Sequence, residues 1–149
     1  MNTIAPIEDL PVTRDAIERL VDAMQELPQL DLHTEHVING GMYARTITIP
    51  AGATLVGAAH KTDHINVVDG DITVSTEHGR VRLTGHHVLA TPAGTQRSGH
   101  AHADTVWTTI VRTDLTTVEA IENEVVETPE RLQTRTLQLD AANAPQLED

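Results

Sequence analysis

The sequence predicts a mainly β protein, a single domain of short antiparallel strands closed into a barrel or sandwich, with one amphipathic helix before the strands and one after them. Three observations lead there. Between residues 36 and 112 the chain breaks into short alternating segments separated by tight Gly-, Pro- and Asp-containing connections, the pattern of an all-β sandwich or barrel. There is one Trp, one Tyr and no Phe among 149 residues, so the core must be built from Val, Ile, Leu, Ala and Thr, side chains that suit a pleated surface. A helical period appears only at the two ends of the chain. A chain of this length is one domain by the usual prior and buries about two-thirds of its unfolded surface.

Residues 1–12 hold two prolines and no period and read as an extended arm. Over residues 15–27 the apolar positions Ile17, Leu20, Val21, Met24 and Leu27 follow one helical face, with Asp15 and Glu18 spaced as a capping pair and Pro28 as the stop. Candidate strands are 36–38, 42–49, 54–59, 64–68, 71–76, 80–83, 87–90 and 105–112. Asp69 and Gly70, set between two β-branched runs, have the composition of a two-residue hairpin turn. The helical period returns at Val118, Ile121 and Val125, with Thr116 and Glu119 spaced as a capping box and Pro129 beyond the end. The domain therefore spans 13–128. Residues 129–149 form an acidic tail with one possible strand at 134–139, and composition predicts disorder there.

The net charge of −12, with Lys61 the single lysine, argues against direct binding of nucleic acid or of an anionic membrane. There is no cysteine, which removes disulfides and thiol nucleophiles. A GxSxG elbow, a P-loop and a GxGxxG fingerprint are all missing, and Ser98 close to two histidines along a strand is no triad.

Chemistry concentrates in two stretches. His60 and His64 end the first, and His100 and His102 end the second. Were the two strand ends neighbours at a barrel mouth, four imidazoles would converge, which suits a divalent metal such as Zn, Mn, Fe or Ni. Asp63 or Asp104 would add a carboxylate. Arg97 and Arg45 are scarce cations fit for a small anionic ligand, and Tyr43 and Trp107 could line its pocket. Each has a plainer role open to it: solvated histidines, an ordinary ion pair for Arg97, a core position for Trp107.

Residues 41–111 resemble the cupin superfamily of small jelly-roll barrels. Asp63 stands where the first cupin motif carries Glu, six residues before Gly70, and Pro92-Ala93-Gly94 matches the opening of the second. Arg97 occupies the place of the second motif's histidine, with His100 and His102 following it. The phrases GMYARTITIPAG, HKTDHINVVDGDITV and AHADTVWTTIVRTDLTTVEAIENE are similar to cupin-like proteins of tailed bacteriophages and prophages. The resemblance implies a cupin jelly-roll barrel in a viral setting, in the host cytoplasm or the virion. It leaves three functions open: a barrel binding or sequestering a metal or small anion, a virion structural or assembly protein contacting other virion proteins, and a metal-dependent enzyme. Self-association as a homodimer or larger assembly is expected in each.

Overall fold

The computed structural model describes residues 10–27, 30–76 and 78–132. Its elements are α1 (Arg14–Gln25), β1 (Thr34–Asn39), β2 (Met42–Ile49), β3 (Thr54–Val56), β4 (His64–Thr76), β5 (Gly79–Thr91), β6 (Ser98–Ala101), β7 (Thr105–Arg112) and α2 (Val118–Val125), followed by a 3-10 turn at Pro129–Arg131. The expected arm over residues 1–9, the stop at Pro28 and the tail from residue 133, with its strand at 134–139, lie outside the described residues.

Seven strands make one antiparallel sheet, ordered β1-β2-β7-β4-β6-β3, with β5 on the other edge of β4. The sheet curls into a half-barrel around an aliphatic core. Strand β4 is the hinge of this arrangement. Its first half, Ile65 to Asp69, pairs with β7, and its second, Ile72 to Val74, pairs with β6.

The expected turn at Asp69-Gly70 is not a turn: both residues lie in the middle of β4, and the segments 64–68 and 71–76 are one strand. Gly70 has φ 152, and a Cβ there would sit 2.5 Å from Thr105 Oγ1 and 2.7 Å from Thr105 Cα. Its register partner is Gly85, with φ 79. A pair of glycines thus faces across the ladder where β4 leaves β7 for β6, the device by which a long hairpin turns a barrel corner. The preference of Asp-Gly for positive φ is used here for a bend. The chain reverses instead between Thr76 and Gly79, where Thr76 Oγ1 donates to the Gly79 carbonyl at 2.8 Å. The expected strands 80–83 and 87–90 are likewise joined as β5.

Alternation puts Ile47, Ile49, Val68, Ile72, Val74 and Ala101 on the concave face, where they form the main core. Fully burying one such side chain contributes about 2 kcal/mol. A second cluster joins Tyr43 and Val111 to Ile121, Val125 and Val126, seating α2 at one end of the half-barrel. Both helices form on the expected apolar faces, but their caps lie elsewhere: Thr13 Oγ1 accepts from Ala16 N at 3.2 Å, and Thr117 Oγ1 from Ala120 N at 3.3 Å. Asp15 and Glu119 fall in the first turns, where a carboxylate meets the positive end of the helix dipole. Residues 10 and 11 lie on the convex side, with Arg80 Nε donating to the Leu10 carbonyl at 2.7 Å and Ser98 Oγ to the Pro11 carbonyl at 2.9 Å. No described helix is long and apolar enough to cross a membrane.

Candidate functional site

The concave face of the sheet and the two helices line a partly open cavity of about 360 Å³, a volume suited to a small molecule. Side-chain parity decides what it contains. On β2, Tyr43, Arg45 and Ile47 point inward, and on β7 their register partners Val111, Thr109 and Trp107 do the same. On β4 the inward positions include His64 and Asn66, the latter opposite Thr109. Arg45, Thr109 and Asn66 therefore form one row across three strands. Arg97 reaches the cavity from the segment before β6, held there because Gly57 N donates to its carbonyl at 2.9 Å.

Arg45, Arg97, Tyr43, Trp107, His60 and His64 thus all line one cavity. His100 and His102 do not. Ala101 pairs with Ile72 in the core, so the next rung, His100 with Thr73, faces the opposite side of the sheet. There His100 Nδ1 bonds Thr54 Oγ1 at 2.8 Å and His102 Nε2 bonds Thr73 Oγ1 at 2.8 Å, with the rings edge to face at 5.5 Å. The expected convergence of four imidazoles is replaced by two separate pairs.

The inner pair has a defined chemistry. The ring centroids of His60 and His64 are 4.3 Å apart. His60 Nδ1 lies 3.1 Å from the Ala58 carbonyl and His64 Nδ1 lies 3.0 Å from the Thr62 carbonyl. A carbonyl only accepts, so Nδ1 carries the proton in both rings and each neutral ring keeps its lone pair on Nε2. Burial, with a smaller effect of the adjacent His64, pushes the pKa of His60 down to about 4, against the Ala58 hydrogen bond. Burial lowers His64 as well, helped by Arg97. Both rings are neutral at pH 7. His60 is held from below by the segment after α2: it bridges to Val126, and Lys61 N donates to the Val125 carbonyl at 2.6 Å.

Around this pair the cavity wall carries two cations, Arg45 and Arg97, and two carboxylates, Glu18 and Glu122, and it is incompletely satisfied. Burial lowers the pKa of Arg45, Tyr43 and Glu122 raising it in part, yet a guanidinium remains charged at any ordinary pH. Among the described residues Arg45 has no salt bridge, and its buried Nε–H has no acceptor. The Oε1 of Gln96, another cavity residue, is also buried without a partner. Each such atom costs about 1–3 kcal/mol unless something fills its need. Tyr43 is pushed up to about 12, chiefly by burial, and so keeps its phenolic proton, which shares a 2.6 Å hydrogen bond with His36 Nδ1.

A resident divalent metal needs three or more protein ligands around an open position. Among the described residues no group of three His, Cys, Asp or Glu side chains is placed to supply them. Asp63 Oδ1 accepts from Ala93 N at 2.8 Å and Asp104 Oδ1 from Ala51 N at 2.9 Å, so both carboxylates staple loops. The residues present do not fit such a centre.

Sequence reasoning missed Asn66, Thr91, Gln96 and Thr109. Parity could have found Asn66, two residues from His64, and Thr109, two from Trp107. Gln96 carried no signal.

Fold and site together define a half-barrel with a mixed polar and aliphatic interior cavity. No family model matches the sequence, and no curated protein matches it. Among solved structures, the chain is similar to a cupin superfamily protein from Desulfitobacterium hafniense DCB-2, at 13% identity and TM-score 0.47 over 74% of this chain and 100% of that one. It is also similar to KdgF from Halomonas sp., at 20% identity and TM-score 0.45 over 58% of this chain and 88% of that one. A third likeness is to a cupin-2 domain containing protein from Shewanella frigidimarina NCIMB 400, at 13% identity and TM-score 0.43 over 61% and 89%. No family membership follows from likenesses of this degree.

Proposed function

We propose that the chain is a small-molecule-binding barrel of the cupin type whose interior cavity takes a compact anion on Arg45 and Arg97. The observation that carries this reading is Arg45: a half-buried guanidinium that has no salt bridge among the described residues and whose buried Nε–H has no acceptor, on the wall of the cavity. A carboxylate entering there replaces lost hydration with charge-assisted hydrogen bonds, worth about twice neutral ones. The neutral imidazoles of His60 and His64 add no repulsion of charge and offer two Nε2 acceptors. Ile47, Ile49, Leu55 and Val74 supply an apolar wall for a hydrocarbon portion. Titration calorimetry with hexanoate tests it: binding to the wild type should weaken at least ~30-fold in Arg45→Met, the effect of about 2 kcal/mol. Equal affinity of wild type and variant would sink the reading.

A second reading, self-association that would also serve a virion scaffold, is favoured by one feature of the convex face. Val37, Ala44, Ile110, Ile65 and Ala90 lie at successive register positions across β1, β2, β7, β4 and β5. Val37 is 60% exposed and Ile65 46%. An apolar row without charge is where two acidic copies can approach each other. Ile65→Lys should shift light-scattering mass toward the monomer; an unchanged mass would exclude this face.

A further inference from the structure

The cavity has a polarity that specifies more than an anion. Arg97 Nη1 donates to Thr91 Oγ1 at 3.0 Å, Thr91 Oγ1 donates to Asn66 Oδ1 at 2.7 Å, and Asn66 Nδ2 donates to Thr109 Oγ1 at 2.9 Å. Because a guanidinium can only donate, it sets the direction of every bond after it. Thr91 accepts and must send its own proton onward, the amide of Asn66 takes that proton on oxygen and donates from nitrogen, and Thr109 accepts at the end. The string crosses from the segment before β6 to β5, β4 and β7. Its last member, Thr109, keeps a hydroxyl proton with no acceptor among the described residues.

Thr109 is the register partner of Arg45, so the two side chains stand side by side on the concave face, about 5 Å apart at Cβ. Two unspent donors, Thr109 Oγ–H and Arg45 Nε–H, therefore adjoin each other. The same cavity holds an unspent acceptor, Gln96 Oε1, and the Nε2 lone pairs of His60 and His64. A plain carboxylate or inorganic anion would satisfy the first set and leave Gln96 Oε1 bare. An amino acid would bring an ammonium group into a space that holds two guanidinium ions as well as the carboxylates of Glu18 and Glu122, so an amino acid probe separates a cavity that accepts a cation from one that accepts a hydroxyl.

We propose that the ligand is a hydroxycarboxylate with an apolar remainder, its carboxylate seated on Arg45 Nε–H and Thr109 Oγ–H and its hydroxyl donating to Gln96 Oε1. This rests on the cavity being the binding site, as proposed above. The same arrangement makes Thr109 a specificity-determining residue, tuned from a distance by the direction of the Arg97 string.

Calorimetry on the whole chain with three six-carbon probes tests the assignment: hexanoate, 2-hydroxyhexanoate as separate enantiomers, and norleucine. One enantiomer of 2-hydroxyhexanoate should bind at least about tenfold tighter than hexanoate, as when a buried polar group meets a ligand hydroxyl, and norleucine more weakly than either. Gln96→Leu should abolish the preference for the hydroxy acid over hexanoate. Thr109→Val should weaken both acids to a similar degree, and Thr109→Ser, which keeps the hydroxyl, should restore them; the serine variant also answers for any loss of folding in the valine one. Equal binding of hexanoate and both enantiomers, or a preference that survives Gln96→Leu, overturns the hydroxycarboxylate assignment while leaving the anion site standing. Binding of none of the three probes overturns both.

Discussion

The protein carries two histidine pairs that look alike along the chain and differ in almost everything else. His60 and His64 are tied through Nδ1 to backbone carbonyls of their own loop and line the cavity. His100 and His102 bond threonine hydroxyls on β3 and β4 and sit on the convex face. The first pair is placed by local turns and keeps its Nε2 atoms for a ligand. The second cross-links neighbouring strands. A ring becomes available for binding when its own backbone takes up one nitrogen and the fold shields the other from water.

The most disruptive way to break this division is at Gly70, whose bend separates the half of β4 that holds His64 from the half that bonds His102. Gly70→Ala places a methyl 2.7 Å from the Thr105 backbone, and chemical denaturation should show a loss of ~3 kcal/mol or more. Next in size is the effect of acid. His60 titrates near 4 in the fold against 6.5 outside it, so between those values the unfolded chain holds more protons and stability rises with pH. The contribution is complete above pH 6.5 and lost as pH falls toward 4, on the order of 2 kcal/mol after discounting for partial exposure. Unfolding curves of His60→Gln should be flatter across that window than those of the wild type; parallel curves would contradict the burial argument. The smallest effect belongs to the outer pair: Thr73→Val removes one hydrogen bond to His102 and should cost about 1 kcal/mol without altering hexanoate affinity.

Much of this was legible in the chain. Strands β2 and β7 fall where alternation puts them, and both helices lie on the apolar faces read from their spacing. His100 and His102, two residues apart, share a face, but parity alone does not say which face is inside, and a one-residue shift exchanges the two. The small residues between and before them decide it: Gly99, where a Cβ would lie 3.3 Å from Ile72 Cδ1, and Ala101 occupy the crowded interior. Asp69-Gly70 misled for a related reason, since a barrel corner and a hairpin turn both ask a positive φ of glycine. The polar string from Arg97 to Thr109 was out of reach because its members come from four separate segments brought together only by register.

Imidazole nitrogen spectra of uniformly ¹⁵N-labelled protein, recorded at pH 7 before and after hexanoate is added, address the separation of the two pairs most directly. The expected spectrum shows His60 and His64 as neutral rings protonated on Nδ1, with hexanoate shifting their Nε2 signals and leaving those of His100 and His102 in place. Should all four rings move together, the pairs would share one site; should only the outer two respond, the cavity would not be where the ligand binds.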